Sequence, residues 1–153
     1  MLRLVLLIVH IGAGSLGLVV LPVIIAGPKG TGTHRRLGRT FLWCLRAVAA
    51  SAVGLALIAF ATLWWFVLVA GFSLALGEVG SRAWRRRRPF DASVVQHLSG
   101  MGGAAIAFVT AVIVVNAGRV NVIAWLAPTI VGSPLIGIAI ARVQRRGSAA
   151  LPA

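Results

Sequence analysis

Residues 41–80 form an apolar run forty residues long whose only charges are Arg46 and Glu78. As one helix it would reach about 60 Å at 1.5 Å per residue, twice the roughly 30 Å hydrocarbon core of a bilayer. The run therefore predicts two helices joined by a tight turn. No Gly-Pro signal marks that turn. Trp64 and Trp65, residues suited to an interfacial aromatic belt, place it near Ala61-Thr62. With the apolar stretches 4–26, 92–116 and 120–141, the expected helices cover 4–26, 41–60, 63–81, 92–116 and 120–141. The reading is all-α: a polytopic membrane helix bundle of five transmembrane helices, making one integral membrane domain over 1–153.

Composition agrees. Hydrophobic residues make up 59% of the chain and charged ones 11%, whereas a soluble domain carries about a quarter charged. One cysteine, Cys44, excludes an internal disulfide. A net charge of +13 would suit a nucleic-acid binder, but these charges sit in short loops between apolar runs. That is the pattern of membrane topology, so no nucleic-acid partner is expected.

The charges also orient the chain. With five spans and the N-terminus outside, the inner loops 27–40 and 82–91 and a basic tail 142–153 hold twelve of the fifteen cations: Lys29, Arg35, Arg36, Arg39, Arg82, Arg85, Arg86, Arg87, Arg88, Arg142, Arg145 and Arg146. Arg3 and Arg119 fall outside and Arg46 is embedded. Four spans would split the two basic loops between opposite sides and break the positive-inside bias. A signal peptide over residues 1–26 is disfavoured: its apolar core would be 7–15 residues long, and cleavage would export the basic loop. The expected location is the bacterial cytoplasmic (inner) membrane, as a multi-pass protein. Lys29, Arg35, Arg36, Arg39 and Arg85 to Arg88 are then candidate contacts for anionic lipid headgroups on the inner face. Gly27-Pro28 ends the first helix, and Thr33 or Thr40 is the expected cap of the second.

Pro22 in the first helix and Pro128 and Pro134 in the last are candidate helix breaks. Each removes a donor and frees a carbonyl four residues earlier, at Leu18, Ala124 and Ile130. Packing kinks are the ordinary explanation. A broken helix lining a transport site is the sharper one, with "PTIVGSP" its best candidate, although no matching segment occurs in the other half. Ala13/Gly17, Ser73/Gly77/Ser81 and Gly103/Ala107 have helix-packing spacing.

Intramembrane ionisable residues single out His10, His34 and His97. His10 and His97 differ in depth by roughly 12 Å, by helix rise within a 30 Å core, too far for one bis-histidine haem. His34, His97, Met101 and Cys44 could converge on the inner side as a haem b or soft-metal site. The plainer account makes His34 a loop residue, His97 a first-turn histidine behind a Ser93–Gln96 capping box, and Met101 and Cys44 packing residues. Glu78 has Arg82 at i+4 as ion-pair partner, with Arg46 as the alternative. Phosphate loops, CxxC pairs, nucleophile elbows, HExxH and carboxylate dyads are all missing from the sequence, and two acidic residues leave little for acid–base catalysis.

"PKGTGTHRRLGRTF" and "HLSGMGGAAIAFVTAVIVVN…WLAPTIVGSPLI" resemble a family of bacterial membrane proteins, the domain-of-unknown-function group numbered 2306 and its relatives. The resemblance lies in His10, Gly14 and Pro22; in a "KG…HRxxGRxF" loop at Lys29, Gly30, His34, Arg35, Gly38, Arg39 and Phe41; in a His-x3-Met helix at His97, Met101, Thr110, Ala111, Val115 and Asn116; and in Trp125, Pro128, Gly132 and Pro134. It implies an integral membrane protein without assigned activity and draws attention to the three histidines.

The leading expectation is a small accessory or structural membrane protein without enzyme activity. It would pack with a membrane partner or a second copy, or bind lipid or a small hydrophobic ligand. A haem- or metal-binding redox protein using His34 and His97, with His10 separate, is the alternative. A small transporter or proton path through the Pro128/Pro134 helix is the third.

Overall fold

A computed structural model describes residues 1–83, 89–118 and 120–149. Among them the fold is all-helical, with α1 Leu2–Ala26, α2 Gly32–Ile58, α3 Phe60–Ser81, α4 Phe90–Ala117 and α5 Val122–Ala149. All five are long and apolar enough to cross a membrane. The chain groups into two compact units, Met1–Ala75 and Leu76–Ala153, whose boundary falls inside α3.

Several boundaries differ from the sequence reading. α2 begins at Gly32, so most of the expected 27–40 loop is helix. Its 27 residues reach about 40 Å, so the basic first turns overshoot a hydrocarbon core of about 30 Å. Hydropathy marks where lipid begins, and a polar helix can start well before it. For the same reason α5 continues beyond the apolar run, through most of the expected tail. The interruption between α2 and α3 is Ala59 alone, with φ −127° and ψ 50°, two residues before the expected turn. Its N–H still bonds Leu55 O, and its carbonyl accepts from Thr62 and Leu63 N–H. Nothing in the residue types around Ala59 marks it.

Within the first unit α1 packs antiparallel to α2. Leu6 meets Gly54, His10 meets Ser51 and Gly14 meets Val48, each step forward on α1 matching one back on α2. Glycine matters at Gly54, where a Cβ would lie 3.0 Å from Leu6 Cδ1. The largest side chains sealed in this unit are Phe41 and Leu45 of α2.

Within the second unit the end of α3 crosses α4 backbone to backbone. A Cβ at Gly80 would lie 2.5 Å from the Met101 nitrogen, and one at Gly100 would lie 2.5 Å from Gly80 Cα. Only a residue without a Cβ permits this approach. At the α4–α5 contact glycine meets side chains rather than backbone: Gly102 faces Ile136 and Gly132 faces Ile106, again antiparallel.

The three prolines do not interrupt their helices. α1 runs through Pro22, and α5 runs through both Pro128 and Pro134. A proline costs one hydrogen bond, and the flanking bonds keep the helix continuous.

Candidate functional site

The junction of α1 and α2 is built from a five-residue connection, 27–31. Gly27 N–H bonds Val23 O, closing α1. Lys29 then folds its ammonium back over the helix end, donating to Ile24 O at 2.7 Å and Gly27 O at 3.1 Å and also to Ile25 O. A cation there offsets the partial negative charge of a helix C-terminus. Partial burial holds its pKa below the ordinary lysine value. Gly30 takes φ +76°, the left-handed conformation that glycine adopts without steric cost. Thr31, rather than Thr33 or Thr40, caps α2: its hydroxyl oxygen accepts from His34 N–H at 3.1 Å and its O–H donates to Pro28 O.

Between the end of α1 and the start of α2 lies an apolar crevice of about 130 Å³, lined by Val23 and Ile24 on one side and Thr33, His34 and Leu37 on the other. His34 Nδ1 is buried there. Arg35, Arg36 and Arg39 are exposed on the first two turns of α2. Lower on that helix the Arg46 guanidinium stands over the Trp43 ring, 4.6 Å from its centroid. The candidate cations Arg85, Arg86, Arg87 and Arg88 lie outside the described residues.

The intramembrane histidines are both held by hydrogen bonds. His10 Nδ1 is 3.0 Å from Ser51 Oγ, and that hydroxyl is 2.7 Å from Ala47 O and 3.0 Å from Val48 O. A hydroxyl has one proton. Since the carbonyls can only accept, they take it, and His10 donates through an Nδ1–H. His97 Nδ1 is 3.0 Å from Gly80 O; a carbonyl only accepts, so this ring is also Nδ1-protonated. Gln96 donates to Val79 O beside it, and Ser93 N–H bonds Pro89 O inside a helix that already begins at Phe90. The expected Ser93–Gln96 capping box is therefore not formed, because α4 starts earlier than hydropathy indicates.

The structure separates several candidate ligands. Ser51, opposite His10, lies seventeen residues beyond His34 on α2, an axial distance of about 25 Å. Cys44 is buried ten residues beyond His34, about 15 Å along the axis. Ligands of one metal ion must lie within about 4 Å of each other, given bonds near 2 Å. Cys44 and His34 therefore cannot share one, and the four-residue site with His97 and Met101 is not assembled. The early start of α2 puts Cys44 deep in the span. Among the described residues no group of three or more His, Cys, Asp or Glu is placed to hold a metal ion.

Glu78 near the end of α3 and Arg82 just beyond it pair at 2.9 Å, with Glu78 17% and Arg82 59% exposed. Partial exposure limits such a pair to roughly 0.3–0.5 kcal/mol. Arg46 makes a cation–π contact with Trp43. Sequence reasoning missed Ser51, Trp43 and the Gly80–Gly100 pair. Only the "SGMGG" cluster at 99–103 hinted at the last.

No family model, curated protein or solved structure matches the chain. The resemblance to group 2306 accordingly rests on the quoted motif residues alone.

Proposed function

We propose that this chain is a multi-pass protein of the bacterial cytoplasmic membrane, N-terminus outside and C-terminus inside, acting as a non-enzymatic accessory that engages anionic lipid at the inner surface. One observation carries the reading. Arg35, Arg36 and Arg39 are exposed on the polar first turns of a helix that continues into an apolar span, beside the Lys29-capped end of α1. The first unit has six cations and no acidic side chain, so this collar suits a surface of negative headgroups. Single cysteines in a Cys44→Ala background test it with a membrane-impermeant maleimide. Gly30→Cys and Arg86→Cys are labelled in inside-out vesicles and protected in intact cells, and Leu2→Cys behaves oppositely. Labelling of positions 30 and 86 from opposite faces overturns the topology.

A second reading, haem or metal ligation, is supported by the Nδ1 hydrogen bonds of His10 and His97. Such bonds make Nε2 the basic nitrogen and orient rings that ligate through it. Each histidine would serve a separate centre. A Soret band lost in His97→Ala or His10→Ala supports this reading; a colourless, metal-free preparation from iron-replete cells removes it.

A further inference from the structure

The outward face of α2 carries more than a diffuse collar. At 100° per residue, Arg39, Trp43, Arg46, Ala50 and Leu57 fall within about 60° of one another, on the opposite side from His34 and Leu37, which line the crevice toward α1. The stripe is open along its length: Arg39 and Ala50 are exposed, Trp43 is 66% and Leu57 65% exposed, and Arg46 is partly covered. Its polarity is ordered, with Arg39, Trp43 and Arg46 toward the N-terminal end and the apolar side chains Ala50 and Leu57 below. A phospholipid has the same order.

Arg46 is the informative residue. It lies seven residues beyond Arg39, about 10 Å deeper along the axis. Helical side chains lean toward the N-terminus, and the Arg46–Trp43 contact shows this lean, because Trp43 is three residues N-terminal. The guanidinium is thereby drawn up to the level of Trp43, one turn and about 6 Å from Arg39. A guanidinium stacked on an indole that tolerates both lipid and water, with the exposed Arg39 side chain rooted one turn above that indole, matches the charge and fork geometry of a phosphate ester. Ala50 leaves the stripe shallow just below, where an acyl chain would run toward Leu57.

We infer that this face holds one anionic phospholipid, its phosphodiester between Arg39 and Arg46 against the Trp43 ring and an acyl chain along Ala50 and Leu57. The inference rests on the lipid-engaging reading above and names its ligand and site.

The purified full chain in neutral detergent is titrated with phosphatidylglycerol, with phosphatidylcholine, or with inorganic phosphate, and bound lipid is counted by native mass spectrometry. One phosphatidylglycerol is retained, phosphatidylcholine is retained about tenfold less, and phosphate does not compete at millimolar concentration. Arg46→Gln and Arg39→Gln each weaken retention about tenfold, and Arg46→Lys weakens it less, because an ammonium keeps charge but not the fork. Arg142→Gln leaves it unchanged. Phosphatidylglycerol with brominated acyl chains quenches wild-type tryptophan fluorescence more than that of Trp43→Phe. Unaltered retention in both Arg46→Gln and Arg39→Gln overturns the clamp. If retention then falls only when Arg35 and Arg36 are replaced, the collar stands without it. Equal retention of both lipids by the wild type overturns the clamp and the collar together. Displacement by phosphate shows a soluble-anion site and overturns the lipid assignment.

Discussion

Ser51 accepts a hydrogen bond from His10 across the α1–α2 contact at 3.0 Å while giving its own proton to a carbonyl one turn back on α2. The two helices are thereby joined by a polar contact eight residues, or about 12 Å, into α1. Interhelical hydrogen bonds in membranes average about 0.6 kcal/mol and reach about 1.7. Ser51→Ala should therefore cost about 1 kcal/mol of stability, read by reversible unfolding in mixed micelles. His10→Leu together with Ser51→Ala should cost less than Ser51→Ala alone, because no donor is then left in lipid. A double variant as unstable as the sum of the two singles would show that the contact carries no coupling.

The Gly80–Gly100 crossing predicts a contrast among glycines. Gly100→Ala places a methyl group against Gly80 backbone and Leu76 O, neither of which can rotate away. It should cost about 2–3 kcal/mol or prevent folding. Gly137→Ala meets nothing within 4 Å and should be neutral or stabilising by about 0.5–1 kcal/mol, since alanine loses less entropy in a helix. Thermal unfolding of the two variants side by side checks the crossing, and equal stability would contradict it.

Capping at the α1–α2 connection predicts a local effect. Thr31→Val keeps shape but loses the acceptor for His34 N–H, and should cost about 1 kcal/mol. Hydrogen exchange at the amides of residues 32–35 should speed up severalfold while the α4 amides are unaffected. Thr33→Val, at a position that sequence reading also offered as a cap, should leave those amides unchanged.

Continuity through Pro128 and Pro134 predicts that Pro128→Ala and Pro134→Ala do not increase helical content measurably by circular dichroism, since α5 is helical already. A gain of several helical residues would indicate a break and revive a transport path through "PTIVGSP".

Hydropathy and chain length alone determined that the protein is a bundle of five membrane-length helices, because a forty-residue apolar run cannot cross about 30 Å of hydrocarbon as one rod. The i+4 partnership of Glu78 and Arg82 was likewise legible, since helix geometry makes it local. Tertiary structure decided what locality cannot. Whether His10 finds Ser51, forty-one residues away, depends on the register of two helices, and that register is set by Gly14 and Gly54 fitting against Val48 and Leu6. The start of α2, and with it the separation of Cys44 from His34, depended on a cap at Thr31 that carries no hydropathy signal. A residue's affinity for lipid is a property of the residue itself. Its partner is a property of two surfaces brought together, and only packing supplies that.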